Sequence, residues 1–220
     1  MSERLSPFPY KSIISDFDGI LCNLRKHVVQ LINSDLKTKY TTADIRSHDQ
    51  VKKWYMNAGS SEEEALKIEN NYWYNPEVLL NAPPLPGARK FVEWAHQNKI
   101  PLNVVSTRRP EFREVTERWI DIWMPLMDPK DIFMRINEEM SGEVFKPFMV
   151  NKLGSDLFLE DTPHQAEFVL IYTNANVLLH SNINIHGLEP QLASRLIQVP
   201  ETPEIGPDFD AIAKRLYVPY

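Results

Sequence analysis

The feature that most constrains this chain is a short strand pattern that ends in two acids. The apolar, β-prone run 13–15 is followed directly by Asp16-Phe17-Asp18-Gly19. Side chains at positions i and i+2 of an extended segment point to the same side, so we expect the carboxylates of Asp16 and Asp18 on one side of the chain. Two close carboxylates in a partly dry site repel each other, and a hard cation such as Mg²⁺ relieves that repulsion and also binds phosphate oxygens. The segment therefore predicts a site for metal-assisted phosphate chemistry.

Strand and helix patterns alternate along most of the chain. Residues 102–107 and 156–161 form two further apolar runs that end in polar side chains. Such alternation predicts an α/β fold with a Rossmann-like, mostly parallel sheet and helices on both faces. Residues 176–180 predict another strand and residues 209–216 another helix, whereas residues 168–172 fit either element.

Residues 23–84 interrupt this alternation with helical patterns alone, and the Pro-rich run 83–87 marks their end. We therefore expect a catalytic core of residues 1–22 and 85–220, with residues 23–84 inserted as a helical cap. Ligands in open α/β sheets bind at the carboxyl ends of the strands, which is where the cap would lie. Aromatic cap residues could stack on a base, although packing inside the cap is the favoured interpretation: they are Trp54, Tyr55, Tyr72, Trp73 and Tyr74.

Three further segments carry groups that suit phosphate chemistry. Ser106 and Thr107 end a strand pattern, and a hydroxyl beside backbone N–H groups at a helix start can hold a phosphoryl oxygen. Lys146 offers a cation, and Glu160 with Asp161 forms a second acid pair at a strand end. Each feature alone has an ordinary explanation, as a helix cap or a solvated charge.

The order of these features is more specific than any one of them. An acid pair, a hydroxyl, a lysine and a second acid pair resemble the four motifs of the haloacid dehalogenase (HAD) superfamily of phosphotransferases. The resemblance covers residues 11–22 and 85–165. Within that superfamily, residues 85–88, 105–110 and 116–120 look closest to the 5′(3′)-deoxyribonucleotidase, or C-type 5′-nucleotidase, group.

The resemblance implies a HAD-like fold with a C1-type helical cap. It also implies a Mg²⁺-dependent phosphomonoesterase that acts through an aspartyl phosphate, with nucleoside monophosphates as the expected substrates. Asp16 would be the nucleophile, and Asp18 would act as general acid and then as general base. Mg²⁺ would be held by the Asp16 carboxylate, the main-chain carbonyl of Asp18 and Asp161, with Glu160 as an outer or additional ligand. The expected phosphate-binding residues are Ser106, Thr107, Arg108 and Lys146.

Two of these assignments have rivals. Ser106 and Thr107 compete for the hydroxyl role, and we favour Ser106. Lys152 competes with Lys146, but Lys146 fits the spacing to Asp161 better.

Composition limits the classes of partner. The 220 residues carry a net charge of −6. Such a chain lacks the broad positive field that non-specific nucleic-acid binding needs, but it can still bind a small phosphorylated substrate, such as a nucleotide, in a local pocket. Cys22 is the one cysteine, which suits a reducing compartment, and we expect it to be a buried, unreactive side chain. Because the sequence has no signal-peptide or membrane-span pattern, we expect a cytoplasmic protein.

Three alternative functions stay open. The chain could be a phosphatase for sugar phosphates or other small metabolites. It could be a phosphate-binding or regulatory protein without turnover, although Asp18 would then have no purpose. It could also remove a terminal phosphate from a nucleic acid.

Overall fold

Six parallel strands form one sheet in the computed structural model, which describes residues 8–45, 47, 49–137, 139–200 and 209–216. The strands are β1 (Ile13–Ser15), β2 (Leu102–Ser106), β3 (Ile132–Met134), β4 (Leu157–Glu160), β5 (Asn176–His180) and β6 (Leu196–Val199). Their spatial order is β3-β2-β1-β4-β5-β6. The order reverses between β1 and β4, and open sheets of this kind bind ligands at that switch point.

The helices fill the connections between the strands. Within the described residues they are α1 (Leu24–Leu36), α2 (Gln50–Asn57), α3 (Glu62–Tyr74), α4 (Pro76–Asn81), α5 (Ala88–Gln97), α6 (Arg113–Trp123), α7 (Gly142–Leu153), α8 (Pro163–Tyr172), α9 (Pro190–Ala193) and α10 (Phe209–Arg215). Helices α1 to α4 lie between β1 and β2, so the predicted helical insertion is present. In the described ranges, no helix is long and apolar enough to cross a bilayer. The predicted core limits at residues 1 and 220 lie outside these ranges.

Successive strand residues contribute to two different hydrophobic clusters. Ile13 packs in one cluster with residues of α5, α6, α10 and the insertion, whereas Ile14 packs in the other with residues of α7 and α8. Val104 and Val105 divide in the same way. This period of two is expected for a sheet that is buried on both faces. The predicted α/β fold with helices on both faces is therefore confirmed.

The insertion shares its core with the sheet instead of forming a separate one. Val28, Ile32 and Trp54 belong to the same cluster as Ile13. Trp119 of α6 donates its indole N–H to the carbonyl of Ala82 at 2.6 Å, which ties the end of the insertion to the core. A buried indole N–H needs such a partner.

The described structure differs from the sequence expectation at a few elements. Strands β3 and β6 lie outside the predicted elements, because no acid or hydroxyl follows either segment to mark the end of a strand. Residues 168–172, which fitted either element, belong to α8. Trp54 and Tyr55 are buried and Trp54 stacks on Tyr40 at 4.0 Å, so these two aromatics pack within the insertion, whereas Tyr74 is 41% exposed.

Candidate active site

Candidate site residues from three sequence segments meet at one edge of the sheet. Asp16 follows β1, Ser106 ends β2 and Glu160 ends β4, and β1 lies between the other two strands. The Asp16 N–H donates to the carbonyl of Leu159 at 2.8 Å, so the β1–β4 ladder continues up to the acid itself. Parallel strands place their carboxyl ends together, which brings these segments to the switch point of the sheet.

Lys146 reaches this edge from helix α7. Its side chain is 1% exposed, and its Nζ lies 2.9 Å from Asp16 Oδ2 and 2.6 Å from Glu160 Oε2. Lys152 lies on the same helix but is exposed, with its Nζ 5.9 Å from the centre of the Phe148 ring. The structure therefore brings Lys146, and not Lys152, to the acids.

Glu160 is held by three donors. Its Oε1 accepts the backbone N–H groups of Asp161 at 3.1 Å and Thr162 at 3.0 Å, and its Oε2 accepts from Lys146. The side chain is fully buried. A carboxylate with this many partners is fixed in place, so Glu160 orients the Lys146 ammonium toward Asp16.

A candidate metal position lies among the acids. Ligand oxygens of Asp16, Glu160 and Asp161 all lie within 4.8 Å of one another. Gly19 allows the loop after β1 to approach Asp161, since a Cβ at this position would lie 2.1 Å from Asp161 Oδ2. Its φ of +85° also lies in the left-handed region that glycine adopts without strain. An all-oxygen, acidic donor set suits hard cations such as Mg²⁺.

The charges at this edge favour an added cation. The pKa of Asp16 is raised to about 6: burial raises it most, Lys146 lowers it, and the charges of Asp161 and Asp18 add to the increase. Burial also raises the pKa of Glu160 above its usual value. Burial alone would lower the pKa of Lys146, but the charges of Asp16 and Glu160 outweigh that effect and raise it. The ammonium thus stays charged without neutralising all the acids, and a divalent ion fits the remaining negative charge.

Asp18 has a different partner. The guanidinium of Arg108 donates from Nε to Asp18 Oδ2 and from Nη2 to Oδ1, both at 2.8 Å. Arg108 also donates from Nη1 to Thr116 Oγ1 at 3.1 Å, and it lies over the Phe17 ring at 4.4 Å from its centre. Sequence reasoning placed Arg108 near phosphate and missed this pair. The sequence shows only that Arg108 follows β2 and that Thr116 lies on the next helix. These two positions are the only signal that could have pointed to the pair.

The remaining candidates surround this centre. Ser106 is 1% exposed at the strand end and its Oγ accepts the Arg108 N–H at 3.1 Å, whereas Thr107 is half-buried. Arg25 of α1 reaches Asp161 Oδ2 at 3.2 Å, so the insertion contacts the site directly. Cys22 is completely buried and burial raises the pKa of its thiol, which disfavours a reactive thiolate.

Comparison with solved structures identifies the fold. A HAD family hydrolase from Deinococcus radiodurans R1, solved with bound phosphate and sodium, matches with a TM-score of 0.56 at 14% identity, over 87% of this chain and 92% of that one. A proposed phosphoglycolate phosphatase from Lactobacillus delbrueckii subsp. bulgaricus matches with a TM-score of 0.55 at 14% identity, over 95% and 98% of the two chains. A proposed beta-phosphoglucomutase from Thermotoga maritima matches with a TM-score of 0.53 at 16% identity, over 88% and 95%.

At these identities the likeness concerns the fold, which is HAD-like. No protein-family model matches the sequence, and no curated protein matches it.

Proposed function

We propose that this protein is a Mg²⁺-dependent phosphomonoesterase of the HAD type. The observation that carries the proposal is the buried Lys146 ammonium, which bridges Asp16 and Glu160 beside the Asp161 carboxylate. A nucleophilic carboxylate, a fixed cation and a second acid at a sheet switch point are the parts that phosphoryl transfer needs. The HAD-like fold of the matching hydrolases supports the same reaction class.

The proposed reaction has two steps. Asp16 attacks phosphorus, the Asp16–phosphorus bond forms, the bond to the ester oxygen breaks, and the Asp18 carboxyl gives its proton to the departing alcohol. A water oxygen then attacks phosphorus, the bond between Asp16 and phosphorus breaks, and the water gives a proton to Asp18; this restores both carboxyl groups and releases phosphate. Lys146, with Ser106, would hold the phosphoryl oxygens and keep them aligned for attack.

Mg²⁺ would be held by the carboxylates of Asp16 and Asp161 and by the main-chain carbonyl of Asp18. When bound, it would supply positive charge that reduces the repulsion between Asp16 and the phosphoryl oxygens. Glu160 would act through Lys146, because its oxygens already accept three hydrogen bonds.

Residues 23–84 would act as the cap that selects the substrate. Arg25 lies on the first insertion helix and touches Asp161, so it is placed to contact an anion that enters the site. We propose nucleoside monophosphates as substrates, because residues 85–88, 105–110 and 116–120 resemble the nucleotidase group.

Small sugar phosphates and related metabolites are the second candidate. This alternative is favoured by the matching chains, which include a proposed phosphoglycolate phosphatase and a proposed beta-phosphoglucomutase. A preference for any sugar phosphate over every nucleotide would replace the nucleotide proposal without changing the reaction class.

The test is a panel of phosphate esters, with and without Mg²⁺, on the wild-type protein and Asp16→Asn. We expect Mg²⁺-dependent release of phosphate by the wild type. The amide cannot attack phosphorus, so Asp16→Asn should fold and lose activity by at least about 1,000-fold. Turnover by Asp16→Asn at the wild-type rate would overturn the mechanism, and a wild type that hydrolyses no ester would favour a phosphate-binding protein.

A further inference from the structure

We propose that Arg108 is a positioning residue for Asp18, an inference that rests on the proposed function. The sequence placed Arg108 among the phosphate-binding groups, but its guanidinium donates two parallel hydrogen bonds of 2.8 Å to the two carboxylate oxygens of Asp18. A planar guanidinium that meets a carboxylate in this way fixes the plane of the carboxylate as well as its position.

Arg108 is itself held firmly. Its side chain is 5% exposed. Three further contacts surround it: Nη1 donates to Thr116 Oγ1, Nη2 lies 3.9 Å from Cys22 Sγ, and the guanidinium covers the Phe17 ring. The Thr116 hydroxyl in turn donates to the carbonyl of Phe112 at 2.8 Å, which fixes the hydroxyl as an acceptor for Arg108. Arg108 therefore has little freedom to leave Asp18.

Asp18 differs from the other acids in its surroundings. Its side chain is 32% exposed, whereas Asp16 and Glu160 are buried against Lys146. A partly exposed aspartate without such a partner would sample several rotamers. Each carboxyl oxygen has two acceptor positions, so one bond from Arg108 to each oxygen leaves room for the proton that Asp18 transfers.

The two buried cations therefore hold two different acids. Lys146 contacts the nucleophile Asp16, and Arg108 contacts the acid and base Asp18. In the first step Asp18 transfers its proton to the ester oxygen as the phosphorus–oxygen bond breaks, which requires hydrogen-bond reach to that oxygen. Loss of Arg108 should therefore impair the reaction most when the leaving group needs a proton most.

The experiment measures kcat/KM for esters that differ in their leaving group. It compares p-nitrophenyl phosphate, whose leaving group p-nitrophenolate is a stable anion, with phenyl phosphate and a nucleoside monophosphate. The nucleoside leaves as an alcohol and so needs a proton. The variants are Arg108→Gln, Arg108→Lys and the surface control Arg89→Gln, whose guanidinium is 59% exposed and pairs with Glu93. The value of kcat/KM reports the transfer to Asp16 and excludes the later hydrolysis of the aspartyl phosphate.

We expect Arg108→Gln to lower kcat/KM for the nucleoside monophosphate at least tenfold more than for p-nitrophenyl phosphate. Arg108→Lys should give a smaller selective loss, because one ammonium replaces two parallel donors. Asp18→Asn should show the same selectivity, and combining it with Arg108→Gln should add less than twofold to that selectivity. Arg89→Gln should match the wild type.

Other results would overturn the inference. An equal loss for all esters, together with weaker inhibition by inorganic phosphate, would make Arg108 a phosphate ligand. An equal loss with unchanged phosphate inhibition and a lower melting temperature would make it a purely structural residue. Unchanged kinetics in Arg108→Gln would remove any role in the reaction. A wild type inactive on every ester would instead end the proposed function, so the two failures can be told apart.

Discussion

Replacing Lys146 by methionine tests whether its charge holds the acids together. The ammonium is 1% exposed and contacts two buried carboxylates at 2.9 and 2.6 Å. Methionine fills a similar volume but leaves Asp16 and Glu160 without their cation. Removing one partner of a buried ion pair costs about 3–5 kcal/mol, because the remaining charges stay buried and uncompensated. For an m-value near 2 kcal/mol/M, the midpoint of urea unfolding should fall by about 2 M.

The cost should depend on pH. The pKa of Asp16 is already about 6 with Lys146 present, and that of Glu160 is raised, so both should rise further without the lysine. Between the unfolded pKa near 4 and the raised native pKa, the native state binds more protons than the unfolded state, so stability falls as pH rises. The penalty in Lys146→Met should therefore be full at pH 8 and much smaller at pH 5.

Urea unfolding in EDTA at both pH values measures this effect, with Lys152→Met as the matched control. Lys152 lies on the same helix but is exposed, so its loss should change stability by less than about 0.5 kcal/mol. A penalty for Lys146→Met below about 1 kcal/mol at pH 8, or one that is equal at pH 5 and pH 8, would refute the electrostatic argument.

Two further predictions concern the metal position. Gly19→Ala should weaken Mg²⁺ binding at least about tenfold in calorimetry, because the added Cβ would lie 2.1 Å from Asp161 Oδ2. A Cβ added at Gly59 would meet nothing within 4 Å, so the Gly59→Ala control should bind Mg²⁺ as the wild type does. Equal affinities in the two variants would contradict the close approach of the loop to Asp161. Because the pKa of Asp16 is about 6, protons should compete with Mg²⁺ and lower its affinity about tenfold between pH 7 and pH 5. An affinity that does not change over this range would contradict Asp16 as a ligand.

The meeting of Asp16, Ser106 and Glu160 could be predicted from local sequence patterns. Each residue follows a short apolar run, and the carboxyl ends of parallel strands lie at one edge of a sheet. The helical insertion could also be predicted from the sequence, because residues 23–84 have no strand pattern and end at a Pro-rich turn. Both conclusions depend only on hydrophobic period and chain order.

Lys146 illustrates what local patterns omit. A lone lysine in a helix is usually solvated, and only the order of the surrounding motifs pointed to this one. Its burial depends on how α7 packs against the sheet, which places Nζ between Asp16 and Glu160. Lys152, six residues further along, lies on a different part of the helix surface and is exposed.

The Arg108–Asp18 pair and the outer strands were less accessible to sequence reasoning. Asp18 and Arg108 are 90 residues apart, and their contact depends on loops on neighbouring strands. Strands β3 and β6 are as short as β1 and β4, but no acid or hydroxyl follows them to mark the end of a strand. In both cases the tertiary arrangement, and not the local pattern, determines the structure.

The most direct test of the central claim is a crystal structure of the protein grown with Mn²⁺, in which anomalous scattering locates the ion. We expect one strong peak within about 2.5 Å of a carboxylate oxygen of Asp16 and one of Asp161, with Lys146 still bonded to Asp16. An ion bound elsewhere, or carboxylates of Asp16 and Asp161 that do not share it, would contradict the account.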